Sequence, residues 1–396
     1  ASTREGRAAS SGMAGHASDE GWHAAAVAAG DGTIRYGIIG SGMMGLEHLW
    51  NLHHVPGAAV TAIADPNQPS REATILFDEG RNDITEFADH RELLASGLVD
   101  VVIVSSPNMT HRAVLDDVLA TDVHVLVEKP LCTTVADCRA VLDAAAARRD
   151  RGCEAIVWVG LEYRYMPPVA RLIREVHAGT VGAPKMVAIR EHRFPFLAKV
   201  GDWNRFNRNT GGTLVEKCCH FFDLMNDITG DRPVRVQASG AQDVNHLDER
   251  YDGEVPDILD NAFVIVDYER GARAMLDLCM FAEASEHQEE ISVVGPLGKV
   301  EAFLPDATVR VGLRAEGRPG VRTEVVHDDR VAYEGFHHGS SYLEHLDLID
   351  AVRTGSAPAV SLEDGLLSVA MGVAAHRAIE RGVPVLIEEV LADPTA

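Results

Sequence analysis

Three glycines in the pattern Gly40-x-Gly42-x-x-Gly45 stand between an apolar stretch, Tyr36 to Ile39, and an amphipathic one carrying Met43, Met44, Leu46, Leu49, Trp50 and Leu52 at helical spacing. Few features constrain a chain more. A strand that turns through glycine directly into a helix leaves the helix N-terminal amides facing outward, where they can hold a pyrophosphate. Asp65, at the end of the next apolar run, stands where an acid accepts hydrogen bonds from an adenosine ribose. Gly40, Gly42, Met43, Met44, Gly45 and Asp65 are therefore expected to bind a dinucleotide. An acid there repels a 2′-phosphate, which favours NAD over NADP, although Arg71 is close enough in sequence to count on the other side. A simple glycine turn is the alternative.

Further short apolar runs follow at residues 100–107, 124–130 and 155–160, with helical segments between them. Such alternation predicts buried parallel strands in a doubly wound sheet. Beyond about Leu161 the strands become longer and amphipathic, as in PKMVAIREH and in NAFVIVDYERGARAMLDLCMF, where YERG reads as a hairpin turn. EEISVVG, GKVEAFL, TVRVGLRAE and RTEVVHD continue the series. One long helix is expected near residues 214–229, and two more, SSYLEHLDLIDAVRTG and SLEDGLLSVAMGVAAHRAIERG, close the chain. The fold class is thus α/β: a Rossmann-type, doubly wound parallel sheet over residues 33–160, then an α+β domain over 161–396 with a large open, mostly antiparallel sheet. The last helices could pack back on the first domain. Residues 1–32 lack any period and read as a disordered tail, with a helical arm packing on a neighbouring subunit as the other reading.

Charge narrows the partners. Of 396 residues, 36 are Lys or Arg and 60 are Asp or Glu, a formal net charge of −24 that repels nucleic acid and anionic membranes. No apolar run is long enough to span a bilayer. The six cysteines form no CxxC pair, so neither a disulfide framework nor a zinc site is expected, and a reducing cytoplasm is the expected compartment. Cys218 and Cys219 read as small packing residues, and no metal is expected. Glu286 and His287, beside Glu289 and Glu290, read as a solvated turn.

Two segments carry candidate chemistry. Lys129 follows an apolar strand and Glu128, at the sheet end where open α/β folds present ligands; it could polarise a substrate hydroxyl or simply snorkel to solvent. In GGTLVEKCCHFFD, an unbroken helix would set Glu216, His220 and Asp223 within roughly 60° of one another on one face. An imidazole between carboxylates suits a proton acceptor, its basicity raised by their charge. Equally, Thr213 and Glu216 match a capping box, and His220 could be a satisfied, half-buried histidine.

Taken together, GSGMMG, Asp65, SSPNMTH, VEKP, EYRYMPP, GGTLVEKCCHFFD and the closing AMGVAAHRAIERG resemble the glucose-fructose oxidoreductase, inositol dehydrogenase and MocA family of nicotinamide-dependent dehydrogenases. The resemblance implies an active site in the cleft between the two domains and a homodimer or homotetramer built on the sheet of the second. It implies that Lys129 and His220 attend the reacting hydroxyl, and that Ser106, Pro107, Asn108 and His111, with Glu128 and Lys129, line the nicotinamide side of the cofactor. The family usually places Asp four residues before the histidine; this chain has Glu216, whose role is either catalytic or that of a helix cap. Arg164, Tyr165, Trp203, Asn204, Arg205 and His338, with His337, are candidates for contacting substrate, because polar and aromatic loop residues suit a polyol. The function expected is oxidation of a secondary hydroxyl of a polyol, sugar, cyclitol or glycoside by hydride transfer to NAD. Two rivals stand beside it: an NAD-assisted glycosidase working by transient oxidation and elimination, and a non-catalytic NAD-binding sensor.

Overall fold

In the computed structural model residues 32–396 are described, so the segment expected as a tail lies outside the described residues except for Gly32. Strands β1 (Ile34–Ile39), β2 (Ala58–Ala64), β3 (Thr85–Phe87), β4 (Val101–Val104), β5 (His124–Glu128) and β6 (Val157–Gly160) form a parallel sheet in the order β3-β2-β1-β4-β5-β6. Every position of β4 and β5 is buried, which is why their sequences run apolar without alternation: helices cover both faces. Strand order reverses between β1 and β4, and at such a switch point the chain leaves a crevice beyond the strand ends. Gly40 and Ser105–Ser106 line that crevice.

The remaining strands are β7 (Met186–His192), β8 (Pro233–Ala241), β9 (Asn261–Tyr268), β10 (Arg273–Cys279), β11 (Glu289–Val294), β12 (Gly298–Leu304), β13 (Thr308–Leu313), β14 (Arg322–Val325) and β15 (Val385–Leu386). They form one sheet, order β14-β13-β12-β11-β7-β10-β9-β8-β15, antiparallel apart from the β10–β7 pair. β3, β8 and β15 have no counterpart in the sequence reading; β8 opens on proline and ends in Ser-Gly-Ala, residues with little strand preference. One face of the sheet packs on helices Cys219–Thr229 and Leu362–Arg381. The other is open: Phe263 on β9 is 62% exposed, and Ile265 lies opposite Met275 with both partly exposed. Both closing helices form as expected, the second behind a Ser361–Asp364 capping box. Among the described residues no helix is long and apolar enough to cross a membrane, and all six cysteines are free.

The helix expected over 214–229 is broken. Thr213–Glu216 and Cys219–Thr229 are separate, and between them the Cys218 N–H reaches back five residues to the Thr213 carbonyl, which opens the turn. Glu216, His220 and Asp223 therefore do not share one face. Asp223, 1% exposed, is instead gripped by Arg164, whose Nε donates to Oδ2 at 2.7 Å while Nη2 meets Oδ1. Arg164 also donates to the Ala359 carbonyl and lies 3.3 Å from Asp364, so the expectation that it binds substrate is corrected: a buried carboxylate has claimed it. Tyr165 is corrected likewise. Its ring stacks on Trp158 at 6.4 Å, inside the packing between the two domains.

Because Asp223 is buried and Arg164 is its bound cation, Arg164→Ala should destabilise the protein by about 3–5 kcal/mol in urea unfolding, with little change in substrate KM in the folded fraction. Unchanged stability with a raised KM would return Arg164 to the cleft.

Candidate active site

At the dinucleotide end the three glycines have three different reasons to be glycine. Gly40 has φ +99°, and a Cβ there would lie 2.5 Å from the Ser106 nitrogen. Gly45 is held so close that its Cβ would meet the Gly40 carbonyl at 2.2 Å, which sets the helix Met43–Leu52 against β1. Gly42 has nothing among the described residues within 4 Å of its would-be Cβ: this is the open backbone that a pyrophosphate can approach. Met43 and Met44 begin the helix beside it, half-buried. The Asp65 carboxylate accepts from the backbone nitrogens of Ser41 and Asn67, each at 2.8 Å, which fixes it at the lip of the crevice. Arg71 donates to the Asp65 carbonyl and lies 3.5 Å from Glu86.

Ser106 Oγ pairs with Thr110 at 2.7 Å, and Pro107 leads into the turn Asn108–Thr110. Asn108 is buried, and its Nδ2 has no partner among the described residues, as a group that awaits a ligand would. His111 departs from expectation. Both its ring nitrogens lie against carbonyls, Pro130 at 2.9 Å and Ser106 at 3.0 Å, and it is fully buried, so it braces the ends of β4 and β5 instead of facing the crevice.

The reacting end is built by Lys129 and the broken helix. Lys129 leaves the end of β5 and its Nζ donates to the Glu216 carbonyl at 3.3 Å, which ties the first domain to the segment that carries His220. Glu216 is no cap. The short helix is capped by Gly212, and Thr213 donates its hydroxyl to the Leu259 carbonyl at 2.6 Å. The Glu216 carboxyl is buried, its Oε2 without a partner among the described residues; burial pushes its pKa up, while Lys129 and Lys199 pull it down. His220, 2% exposed, stacks flat on Tyr163 with ring centroids 3.9 Å apart, and its Nδ1 has no partner among the described residues. Burial first, and then the charges of Lys129, Lys217, His337 and Arg193, hold its pKa well below the usual 6.5. The expected acidic surroundings are thus corrected: cations ring this imidazole, which stays neutral and able to accept a proton.

Several of these neighbours were not singled out in the sequence. Tyr163, not Tyr165, meets His220, because the Glu162–Tyr165 turn points the two tyrosines of EYRY apart. Lys217 donates to the Tyr163 hydroxyl at 2.6 Å and pairs with buried Glu191 on β7 at 3.0 Å. Lys199 lies close enough to Lys129 and Glu216 to feel both charges, and burial lowers its pKa. His337, which the sequence did offer, stands 3.2 Å from Glu162 and 6.2 Å from the Tyr163 ring. His338, expected with it at the rim, is half-buried at φ +55°.

Behind Lys129 lies a polar chain. Glu128, expected beside the cofactor, turns inward: its Oε1 is 2.9 Å from His48 Nε2, and His48 Nδ1 is 3.0 Å from His345 Nε2. The loop before His220 is braced as well. Asn204 donates to the Leu197 carbonyl at 3.0 Å and Arg205 Nε to Glu249 at 3.0 Å, so their expected substrate contacts are corrected to loop anchoring. Trp203 is half-buried on the same turn. Of the run expected as a solvated turn, Glu286 is exposed and His287 half-buried with Asp306 close by, whereas Glu289 is buried at the start of β11.

Known proteins agree with this architecture. Residues 34–155 match the family model described as "Oxidoreductase family, NAD-binding Rossmann fold", and residues 173–387 match "Oxidoreductase family, C-terminal alpha/beta domain". The chain is 29% identical over 367 residues to inositol 2-dehydrogenase 1 of Saccharopolyspora erythraea, covering 92% of this chain and 98% of that one. To myo-inositol 2-dehydrogenase of Thermotoga maritima it is 28% identical over 362 residues, covering 90% of this chain and 100% of that one. Among solved structures, an oxidoreductase domain protein from Kribbella flavida shares the fold at TM-score 0.80 and 22% identity, over 90% of this chain and 99% of that one. Matched in both halves, the chain belongs to the glucose-fructose oxidoreductase, inositol dehydrogenase and MocA family and is an NAD-dependent oxidoreductase.

Proposed function

We propose that this enzyme oxidises a secondary hydroxyl of a polyhydroxylated small molecule, a cyclitol in the first instance. The observation that carries the proposal is the meeting of Lys129, from the end of β5, with the Glu216–His220 segment of the other domain. Two similar proteins are named inositol dehydrogenases, which supports a cyclitol. Bound NAD would supply the hydride acceptor. Gly42 and the first turn of helix Met43–Leu52 would hold its pyrophosphate, Asp65 its ribose, and Asn108 its nicotinamide side. Neutral His220 takes the hydroxyl proton. Lys129 places positive charge where the alkoxide develops, and Glu216 offers an acceptor to a neighbouring hydroxyl. The exposed apolar face of the second sheet supports assembly into a homodimer or homotetramer.

Three outcomes follow. Lys129→Ala and His220→Ala should each lower turnover by about a hundredfold or more, the usual effect of removing one electrostatic donor or general base, while NAD affinity measured by fluorescence stays within a few-fold. Near-native turnover in either variant would remove that residue from the mechanism. Because the pKa of His220 is depressed, its basic form persists through neutrality and is lost only as pH falls; the acid limb of kcat for oxidation should lie below 6.5. A limb above that value would mean that a different group accepts the proton. Finally, NADH should accumulate with cyclitols and NAD⁺ and far less with NADP⁺. Glycoside cleavage without net NADH would instead identify the transient-oxidation glycosidase.

A further inference from the structure

Among the buried groups that the mechanism leaves unused, the polar chain behind Lys129 is the most ordered. His48 is on the helix that begins at the phosphate-binding glycines, Glu128 ends β5 next to Lys129, and His345 is on helix Ser340–Thr354. The two histidines are fully buried and Glu128 is 4% exposed. A carboxylate so buried needs a cation, and besides His48 the charges that act on it are those of its own neighbour, Lys129, and of His337.

We propose that His48, backed by His345, is a positioning residue for Lys129: it serves as the counter-ion of Glu128, so that the lysine ammonium is left to the reacting hydroxyl. The proposal rests on the dehydrogenase reading above. The contacts accommodate a doubly protonated His48, at the cost of a His345 Nδ1–H that has no partner among the described residues. With both nitrogens of His48 protonated, Nε2–H donates to Glu128 and Nδ1–H donates to His345 Nε2, which is free to accept because burial and the His48 charge keep His345 neutral. Burial is the largest influence and opposes this state, while the carboxylates that act on His48 favour it. Glu47 on its own helix, Glu128 on β5 and Glu162 on the Glu162–Tyr165 turn raise its pKa, while His345 presents a neutral ring flanked edge-on by Tyr36. Glu128 in turn is held below the usual carboxylate range by His48 and Lys129, against burial. The pair is therefore ionised between the two values; it is lost as pH falls through the depressed pKa of Glu128 or rises through the raised pKa of His48. Glu128 Oε2 meanwhile accepts from the Lys129 backbone nitrogen at 3.2 Å, so the anchored carboxylate also fixes the peptide from which the lysine springs.

The test uses the full chain in three variants and one spectrum. His48→Gln keeps a hydrogen bond but not the charge, and should lower kcat by about tenfold or more with KM for NAD within twofold, as displaced catalytic groups do. Its pH profile should change shape, which loss of packing alone would not produce. His48→Gln combined with Glu128→Gln should recover part of the lost kcat, since the carboxylate that captures Lys129 is gone. If His48→Gln does not fold, His345→Gln carries the same expectation at smaller amplitude. Nitrogen NMR of labelled histidine in the native protein should show both His48 ring nitrogens protonated at neutral pH. That spectrum does not need a substrate, so inactivity on cyclitols would sink the choice of substrate and leave the His48–Glu128 ion pair standing. A neutral His48, a pH profile superimposable on the native one, or a double variant worse than the single would each overturn the proposal.

Discussion

The contact from Lys129 Nζ to the Glu216 carbonyl is the constraint on which the rest depends. It crosses the domain boundary, sets a positive charge beside the segment carrying His220, and spends only a backbone acceptor, so the carboxyl of Glu216 stays available. An ammonium bound mainly to a carbonyl keeps donors for a substrate, whereas one locked in a buried ion pair would not. Two ion pairs nearby have that second character: Arg164 with Asp223, and Lys217 with Glu191. They hold the framework, and Lys129 is left for the chemistry.

The electrostatics follow from this division. Four cationic or potentially cationic groups face His220, and with burial they keep the imidazole neutral. A neutral base surrounded by cations favours a developing alkoxide and disfavours holding the proton once accepted, which suits a site that must release a proton in every turnover. The flat stacking on Tyr163 fixes the plane of the ring, and Lys217 on the Tyr163 hydroxyl fixes the tyrosine.

The dinucleotide end was legible in the sequence because its constraints are local. Gly40 is forced by the turn and Gly45 by the close approach of helix to strand, Gly42 leaves the backbone between them open, and Asp65 follows from where β2 stops. The six parallel strands were nearly as clear, except β3, which has only three residues. Side-chain allegiance was not legible. Arg164 read as a cleft residue until Asp223, distant in sequence, claimed it, and Tyr165 until the turn at Glu162–Tyr165 folded its ring back on Trp158. Glu216, His220 and Asp223 shared a face only if the helix ran unbroken, and the opened turn at Cys218 cancels that spacing argument. His48 was not singled out in the sequence, because its partners come from β5 and from a helix near the end of the chain. Charges that tertiary partners bury leave no periodic mark.

A crystal structure with NAD⁺ and a bound cyclitol tests the account most directly. It should show a single hydroxyl oxygen within hydrogen-bond reach of both Lys129 Nζ and a ring nitrogen of His220, its carbon facing the nicotinamide. A cyclitol whose hydroxyl beside the nicotinamide touches neither side chain would contradict it.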